Sequence, residues 1–279
     1  MSAPLVETAP AKVNLTLRVV GRRADGYHEL ESLVGFAGLA DRLTLEPQAE
    51  TALVLSGPFA AACGPDESNL VLKAVAALGT RKAGRFTLEK QLPVAAGLGG
   101  GSSDAAAALR LLARLNGIAG DALAAAALRV GADVPVCIDA KARVMRGLGE
   151  ILSPPLALPV LPAVLVNPGV PVPTRDVFAA LAGKYGEKPL GGVPTTIDAL
   201  IDFLAGHGND LTEPAIACAP QVKEVLTALH DLRGVRLARM SGSGPTCFAL
   251  FATAAAAEAA ARQLASLQPN WWVRSTTIA

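Results

Sequence analysis

Apolar and polar residues alternate over several short stretches of the chain, which is the pattern of half-buried β-strands. The first such stretch, 12–20, places every second residue on an apolar face and leaves Lys12 and Asn14 on the polar face. Other stretches are shorter, and some of them are continuously apolar. They predict strands over 41–47, 52–56, 85–90, 136–139, 163–167, 235–240 and 248–251.

Apolar residues at three- and four-residue spacing predict the helices. The helix over 68–78 has a clear stop signal, because Gly79 follows its last apolar residue. The same spacing predicts further helices over 104–115, 121–129, 174–184, 196–204, 220–232 and 254–267. This mixture of strands and helices lacks the regular alternation of a doubly wound sheet and favours an α+β fold.

A proline-rich stretch over 151–162 is the expected boundary between two domains, 1–150 and 151–279, since 279 residues suffice for two modest domains. The charge-free run over 151–174 is nominally long enough to span a bilayer, but its repeated prolines prevent a helix there. The first twelve residues lack the pattern of a signal peptide. We therefore expect a cytoplasmic bacterial protein.

Composition narrows the classes of partner. Hydrophobic residues make up 51% and charged residues 18%, which excludes a disordered chain. A net charge of +1 and an aromatic content of 4% favour neither nucleic acid nor an anionic membrane as partner, and no obligate protein partner is inferred. The four cysteines lie far apart without a CxxC pair, so no zinc or redox motif is expected.

The stretch 92–105, LPVAAGLGGGSSDA, carries the strongest chemical signal. Glycines without Cβ atoms let backbone N–H groups approach a bound oxyanion, and the helix predicted to start at Ser103 and Asp104 adds its positive end. A flexible loop followed by a serine cap is an equal alternative on glycine density alone. The stretch fits neither the GxxxxGK[ST] nor the GxGxxG phosphate motif.

The segment PVAAGLGGGSSDAA resembles the central motif of the galactokinase, homoserine, mevalonate and phosphomevalonate kinase superfamily. APAKVNLT over 9–16 and MSGSGPTCF over 240–248 resemble its N-terminal and C-terminal motifs, and all three occur in the expected order. The resemblance implies a two-domain α+β small-molecule kinase fold with mixed sheets and helices. It also implies an ATP site between the domains, an N-terminal ATP-binding domain and a C-terminal substrate-binding domain.

Three further segments, ADGYHELESL, GADVPVCI and NPGVPVPTRDVF, resemble one branch of that superfamily. Its members phosphorylate a hydroxyl of a small alcohol linked to cytidine diphosphate, in the non-mevalonate route to isoprenoid precursors. The resemblance therefore implies a small-molecule cytidine diphosphate substrate, with ATP as phosphoryl donor and Mg²⁺ delivered with ATP. No residue is assigned as a protein ligand to the metal.

The resemblance also implies roles for individual residues. Lys12 would stabilise the transferring phosphoryl group, and Asp133 would accept the proton of the substrate hydroxyl. Judged by residue type alone, a solvated lysine and an aspartate capping a turn are the commoner explanations. The residues implied in ATP binding are Pro93, Val94, Ala95, Ala96, Gly97, Leu98, Gly99, Gly100, Gly101, Ser102, Ser103 and Asn69.

The residues implied in substrate binding are Asn14, Tyr27, His28, Thr174, Phe178, Ser241, Gly242, Ser243 and Gly244. Tyr27 and Phe178 would stack on the two faces of the cytosine, and His28 would hydrogen-bond to it. Ordinary alternatives stay open: a surface tyrosine, a histidine that caps a strand, a core phenylalanine, a hairpin turn for the second glycine segment, and a helix cap for Asn69. Asp104, close to the expected phosphates, is expected to face Mg²⁺ or solvent.

Two alternative functions remain at this point. The first is another small-molecule kinase of the superfamily, acting on homoserine or a mevalonate derivative, for which the aromatic residues would be idle. The second is a serine hydrolase with Ser102 or Ser103 as nucleophile. That chemistry requires an activating base, and no histidine or lysine stands near these serines in sequence.

Overall fold

The computed structural model describes residues 3–80, 83–181, 183 and 189–279. They divide into two compact units, each assembled from separated stretches of chain. Unit 1 consists of the described parts of 1–12, 39–94 and 99–140, and unit 2 of the described parts of 13–38, 95–98 and 141–279.

This division differs from the two contiguous ranges that the sequence predicts, 1–150 and 151–279. The reason is that strands β1 (Leu5–Asn14) and β3 (His28–Gln48) each contribute residues to both units. As an assignment of ATP binding to one range and substrate binding to the other, the predicted division stays a prediction.

The remaining elements follow in chain order. The other strands of the described residues are β2 (Arg18–Arg22), β4 (Ala52–Ser56), β5 (Ala83–Glu89), β6 (Arg143–Gly147), β7 (Ile151–Leu152), β8 (Leu161–Asn167), β9 (Val235–Met240), β10 (Cys247–Phe251) and β11 (Trp272–Ile278). The α-helices are α1 (Leu70–Leu78), α2 (Gly100–Asn116), α3 (Gly120–Val130), α4 (Val134–Cys137), α5 (Thr174–Ala179), α6 (Ile197–Ala205), α7 (Thr212–Cys218), α8 (Gln221–His230) and α9 (Ala254–Leu267). A 3₁₀ turn covers Ala60–Ala62.

Unit 1 combines a small sheet with packed helices. Phe86 of β5 pairs with Leu53 of the parallel strand β4 on one side and with Leu45 of the antiparallel strand β3 on the other. Helices α1, α2 and α3 pack on one another, and α4 packs on α2 and α3. The side chains of 105–109 in α2 are fully buried, and four of those five residues are alanines. Such small side chains let neighbouring helices approach closely.

Unit 2 is built around β8, whose seven residues are all buried. Antiparallel strands flank it, β11 on one side and β10 on the other, and β9 continues beyond β10. Helix α9 packs on β8, β10 and β11, and α8 packs on β9 and β10. The apolar core of this unit includes Val164, Val166, Val222, Phe251 and Leu264. The N-terminal part of β3 also pairs with β2 and β6.

Most predicted elements are present, but three differ. The strand predicted over 12–20 is divided between β1 and β2, and the intervening Thr16 hydroxyl accepts a hydrogen bond from the Leu33 amide. The strand predicted over 136–139 is wrong, because Val136 and Cys137 belong to the one-turn helix α4 and residues 138–139 follow it in a turn. Pro135 stands in the first turn of α4, a position that proline favours. Helix α2 begins at Gly100 rather than Asp104.

Two further predictions concern segments between the main elements. The helix predicted over 174–184 is shorter than predicted: α5 ends at Ala179, and residues 182 and 184 lie outside the described residues. The strand predicted over 163–167, after the proline-rich stretch, is confirmed as β8. In the part of the chain that the structure describes, no helix combines the length and the apolar character needed to cross a membrane.

Candidate active site

Lys12 and Asp133 form a direct ion pair in unit 1. The Lys12 Nζ lies 2.6 Å from the Asp133 Oδ2, and the exposed fractions of the two side chains are 5% and 38%. Lys12 comes from the buried part of β1, and Asp133 immediately precedes α4. Lys12 is therefore not a solvated surface lysine. Asp133 is held by a buried cation and still exposes enough of its carboxylate to accept a proton from an incoming group.

Gly99 brings the first turn of α2 against Lys12. It caps the helix in the left-handed conformation, with φ +59°, and a Cβ built on it would lie 3.1 Å from the Lys12 Cβ and 3.2 Å from the Lys12 Cε. The Ser103 amide donates to the Gly99 carbonyl. The amides of Gly100, Gly101 and Ser102 precede this bond, where the N–H groups of a helix have no partner within the helix. This positive helix end suits the phosphates of ATP.

Ser103 is engaged within unit 1. Its side chain is buried, and the hydroxyl donates to the Pro10 carbonyl at 2.7 Å and lies 3.4 Å from the Cys137 Sγ. Burial raises the pKa of the Cys137 thiol to about 12, so this neighbour is a neutral thiol at physiological pH. A hydroxyl committed to a backbone carbonyl and a neutral thiol lacks the activating base that a nucleophilic serine requires. This geometry gives no support to the hydrolase alternative for Ser103.

Asp104 does not face solvent, which corrects that part of the expectation from the sequence. It is buried and pairs with Lys90 at 2.8 Å, and the ammonium of Lys90 also contacts Asp41. Asp41 in turn accepts hydrogen bonds from the Gln91 and Leu92 amides. We call these three side chains the buried triad. It joins the start of α2 to the end of β5 and to β3.

The buried triad holds two carboxylates against one ammonium. Burial raises the pKa of Asp104 to about 7, and the nearby charge of Asp41 adds to this rise, whereas the charge of Lys90 opposes it. Burial acts to lower the pKa of Lys90, but the charges of Asp104 and Asp41 outweigh it and raise this pKa. The buried Asp104 Oδ1 has no hydrogen-bond partner among the residues that the structure describes. Burial therefore favours the protonated form of Asp104 in the folded enzyme.

In unit 2, the segment 95–98 meets the second glycine segment, which covers 241–244. The Ser241 hydroxyl donates to the Gly97 carbonyl at 2.8 Å and accepts from the Asn14 amide at 3.0 Å, and the Thr246 amide donates to the Ala96 carbonyl. Gly97 has φ +72°, and a Cβ on it would lie 2.3 Å from the Ser241 carbonyl oxygen. Glycine is therefore required where these segments touch.

The remaining residues of the two glycine segments differ in their burial and backbone conformation. Pro93 and Leu98 are buried, whereas Val94 and Ala95 are exposed, and Ala95 has the left-handed φ of +51°. Gly242 and Gly244 also have positive φ, +57° and +80°. The hydroxyl of Ser243 lies 2.8 Å from the hydroxyl of Thr174.

Asn209 is a site residue that the sequence does not reveal. Its buried side-chain amide donates to the carbonyls of Met240 and Gly242 at 2.8 Å each, and its carbonyl accepts from the Leu211 amide. This side chain therefore holds the second glycine segment in place through backbone carbonyl groups. Asn209 stands in a stretch without a recognisable motif, and the dipeptide Asn209-Asp210 is the only local signal, typical of a turn.

Two of the predicted cytosine-binding residues of unit 2, His28 and Phe178, are in contact. The rings of His28 and Phe178 are stacked, with centroids 5.1 Å apart and planes inclined by 21°. Tyr27, in the preceding turn, is 64% exposed. Burial lowers the pKa of His28, and the positive charge of Arg22 lowers it further, so the imidazole is neutral at pH 7. A neutral imidazole has both a donor and an acceptor for a base edge.

Asn69 has the geometry of a helix cap. Its side-chain carbonyl accepts from the Val71 amide at 3.0 Å, and its amide group donates to the Gly64 carbonyl. These bonds begin α1 and use the side chain locally. A role beside the nucleotide base stays a prediction. As for a protein-bound metal, no group of three or more His, Cys, Asp or Glu residues that could hold an ion occurs among the residues described.

Comparison with known proteins identifies the family to which the chain belongs. The family model described as GHMP kinases N terminal domain matches residues 69–141, and GHMP kinases C terminal matches residues 194–270. The chain is 57% identical over 286 residues to a 4-diphosphocytidyl-2-C-methyl-D-erythritol kinase from Methylobacterium radiotolerans, covering 98% of each chain. It is 54% identical over 291 residues to a protein of the same name from Rhodopseudomonas palustris, covering 98% of this chain and 95% of the relative.

Solved structures agree with the sequence comparison. The crystal structure of a 4-(cytidine 5'-diphospho)-2C-methyl-D-erythritol kinase matches with a TM-score of 0.81 and 38% identity over 99% of both chains. A homoserine kinase from Cytophaga hutchinsonii shares the fold at a TM-score of 0.72 and 18% identity, covering 100% of this chain and 95% of that one. The protein is thus an ATP-dependent phosphotransferase with the predicted α+β fold. The chain belongs to the GHMP kinases and, within them, to the 4-diphosphocytidyl-2-C-methyl-D-erythritol kinase family.

Proposed function

We propose that this enzyme transfers the γ-phosphoryl group of ATP to the 2-hydroxyl of 4-diphosphocytidyl-2-C-methyl-D-erythritol, which gives the 2-phosphate and ADP. The observation that carries the proposal is the Lys12–Asp133 pair, at 2.6 Å, in a chain 57% identical to a kinase of that name. Phosphorylation of this substrate is one step in the formation of isoprenoid precursors by the non-mevalonate route.

In the proposed reaction the hydroxyl oxygen forms a bond to the γ-phosphorus, and the bond between that phosphorus and the ADP oxygen breaks. Asp133 accepts the hydroxyl proton, because its carboxylate is more than one-third exposed and can only accept. Lys12 holds Asp133 in position and adds positive charge close to the transferring phosphoryl group. Both assignments use residue types that phosphoryl transfer requires, since it depends on positioning and charge compensation.

The first turn of α2 is proposed to bind the ATP phosphates through the amides of Gly100, Gly101 and Ser102. Support comes from the Gly99 cap, which leaves no side chain over Lys12 at this helix end. The glycine loop contains no lysine, so we propose that Mg²⁺ arrives with ATP and neutralises part of its charge.

Unit 2 is proposed to recognise the cytidine end of the substrate. Tyr27 and Phe178 would stack on the cytosine, and the neutral His28 would hydrogen-bond to it. The His28 and Phe178 rings are stacked on each other, with centroids 5.1 Å apart, so a base could enter between these two rings only if one of them shifted. Thr174 and Ser243, whose hydroxyls are in contact, supply further polar groups in this unit.

ADP release by the purified enzyme tests this assignment. ATP and Mg²⁺ are supplied with 4-diphosphocytidyl-2-C-methyl-D-erythritol, homoserine or mevalonate, each over the same concentration range. We expect turnover with the cytidine compound alone and a KM that rises about tenfold or more in Phe178→Leu, since base stacking on an aromatic ring contributes about 1–3 kcal/mol. Turnover with homoserine or mevalonate, and none with the cytidine compound, would refute the substrate assignment.

A further inference from the structure

We infer that Arg110 is a positioning residue that sets the distance between Lys12 and Asp133. The inference rests on the proposed catalytic role of that pair. Arg110 lies within α2, two turns beyond its first helical residues, and its side chain reaches both β1 and the end of α4. The residues that Arg110 contacts, and the Lys12–Asp133 pair, all belong to unit 1.

The guanidinium of Arg110 makes contacts on two sides. Toward β1, its Nη2 donates to the Thr8 carbonyl at 2.7 Å and its Nε donates to the Glu7 carboxylate at 2.9 Å. Toward α4, its Nη1 donates to the carbonyls of Cys137 and Ile138 at 3.0 and 3.2 Å. A planar guanidinium has its donors at fixed directions, so these bonds together fix the separation of the two backbones.

Those two backbones carry the reacting pair. Thr8 precedes Lys12 by four residues on the extended strand β1, and Asp133 precedes Cys137 by four residues at the start of α4. Helix α4 has a single turn, which is too short to be stable by itself. Its last carbonyls need partners from elsewhere, and Arg110 supplies them. Movement of α4 relative to β1 would change the Lys12–Asp133 distance directly.

Ser103 makes a second link of the same kind. Its hydroxyl donates to the Pro10 carbonyl of β1 and lies 3.4 Å from the Cys137 Sγ of α4. Ser103 and Arg110 are seven residues apart, and residues at this spacing lie on the same face of a helix. One face of α2 therefore joins β1 to α4 at two successive levels, and the Arg110 level provides most of the hydrogen bonds.

A general contribution to stability is the competing explanation, because Arg110 also belongs to an ion-pair network. Arg114, one turn further along α2, donates to the other oxygen of Glu7 at 2.8 Å, and its side chain is 54% exposed. Arg114 thus shares the carboxylate of Glu7 with Arg110 but has no observed bond to α4. It offers a matched control that alters the network without altering the contacts to α4.

The test compares Arg110→Lys with Arg114→Lys in steady-state kinetics with ATP and the cytidine substrate. Lysine keeps the charge opposite Glu7, but one ammonium cannot reproduce the fork that bonds to both backbones. We expect kcat of Arg110→Lys to fall about tenfold to a hundredfold with KM for both substrates near the wild-type values, because small misplacement of reacting groups is costly. Arg114→Lys should keep the wild-type kcat, and urea unfolding of both variants gives their folded fractions.

A second variant keeps the test decisive if Arg110→Lys fails to fold. Added methylguanidinium should restore part of kcat in Arg110→Ala, whereas Arg114→Ala should not respond. Equal kcat in the two lysine variants, or a loss in Arg110→Lys that matches its loss of folded protein, would overturn the positioning role. Inactivity of the wild type toward the cytidine compound would instead reject the proposed function, and full activity of Asp133→Asn would reject the proposed proton acceptor.

Discussion

Unit 1 contains two buried lysines whose carboxylate partners differ in exposure. The partner of Lys12 is Asp133, which is 38% exposed and can meet an incoming hydroxyl. The partners of Lys90 are Asp41 and Asp104, both of which are sealed from solvent. The first pair therefore has the access that a reaction requires, and the second joins three elements below the first turn of α2. The Lys90 Nζ would lie 3.3 Å from a Cβ on Gly100.

The buried triad predicts a pH-dependent stability. Burial raises the pKa of Asp104 from its ordinary value of 3.8 to about 7 in the folded enzyme, so folding takes up a proton between these pH values. The contribution of Asp104 to stability therefore falls as pH rises from about 4 to about 7. The charged groups that influence the pKa of this carboxylate include Lys90 and Asp41.

Asp104→Asn removes this titration. The free energy of unfolding of the variant, measured relative to the wild type by urea titration, should increase as pH rises from 5 to about 8. Asp121→Asn, on the exposed first turn of α3, controls for the loss of one negative charge. A difference between Asp104→Asn and wild type that stays constant with pH, or declines, would contradict the assignment of the proton to Asp104.

At the scale of elements, the second glycine segment depends on side chains that hold it from several sides. Ser241 joins it to Gly97 and Asn14, and Asn209 supports it through two backbone carbonyls. A segment with two left-handed glycines has few side chains of its own to hold it. Hydrogen bonds with neighbouring elements therefore hold the segment in its conformation.

Asn209→Ala should lower the free energy of unfolding by about 2 kcal/mol or more, because it leaves buried carbonyls and an amide without a partner. Asn69→Ala is the comparison, since it removes an asparagine cap from the exposed end of α1 and should cost about 1 kcal/mol. Urea unfolding of both variants gives the two values. A smaller cost at Asn209 than at Asn69 would show that the segment holds its shape without this side chain.

Elements with strong hydrophobic periodicity are predicted correctly from the sequence. The prediction fails for short elements whose type is determined by contacts with neighbouring elements. Gly79 ends α1 as predicted, and it has the left-handed conformation expected of a helix stop. The run over 136–139 is too short for its periodicity to distinguish a strand from a helix. Contacts of α4 with α2 and α3 favour the helix. Strand β11 was not predicted, since its polar and apolar residues alternate only weakly.

At the scale of the whole molecule, chain order and spatial order differ. Each compact unit is built from separated stretches, and the glycine loop itself is divided, with 95–98 in unit 2 and 99–103 in unit 1. Contacts such as Lys12–Asp133 and Asn14–Ser241 join residues 121 and 227 positions apart. Residue type and spacing do not determine such pairs. The resemblance singled out their members, whereas Asn209, Arg110 and the triad required the structure.

The kcat of Asp133→Asn is the decisive measurement for the proposed role of Asp133 as the acceptor of the hydroxyl proton. It is measured with saturating ATP, Mg²⁺ and 4-diphosphocytidyl-2-C-methyl-D-erythritol, and Asp121→Asn is the control for an exposed carboxylate of the same unit. We expect a fall in kcat of about 10²–10⁴-fold, with KM for ATP near the wild-type value, because the amide has a similar shape but cannot take up the hydroxyl proton. A variant that turns over at the wild-type rate would contradict the role of the Lys12–Asp133 pair in the reaction.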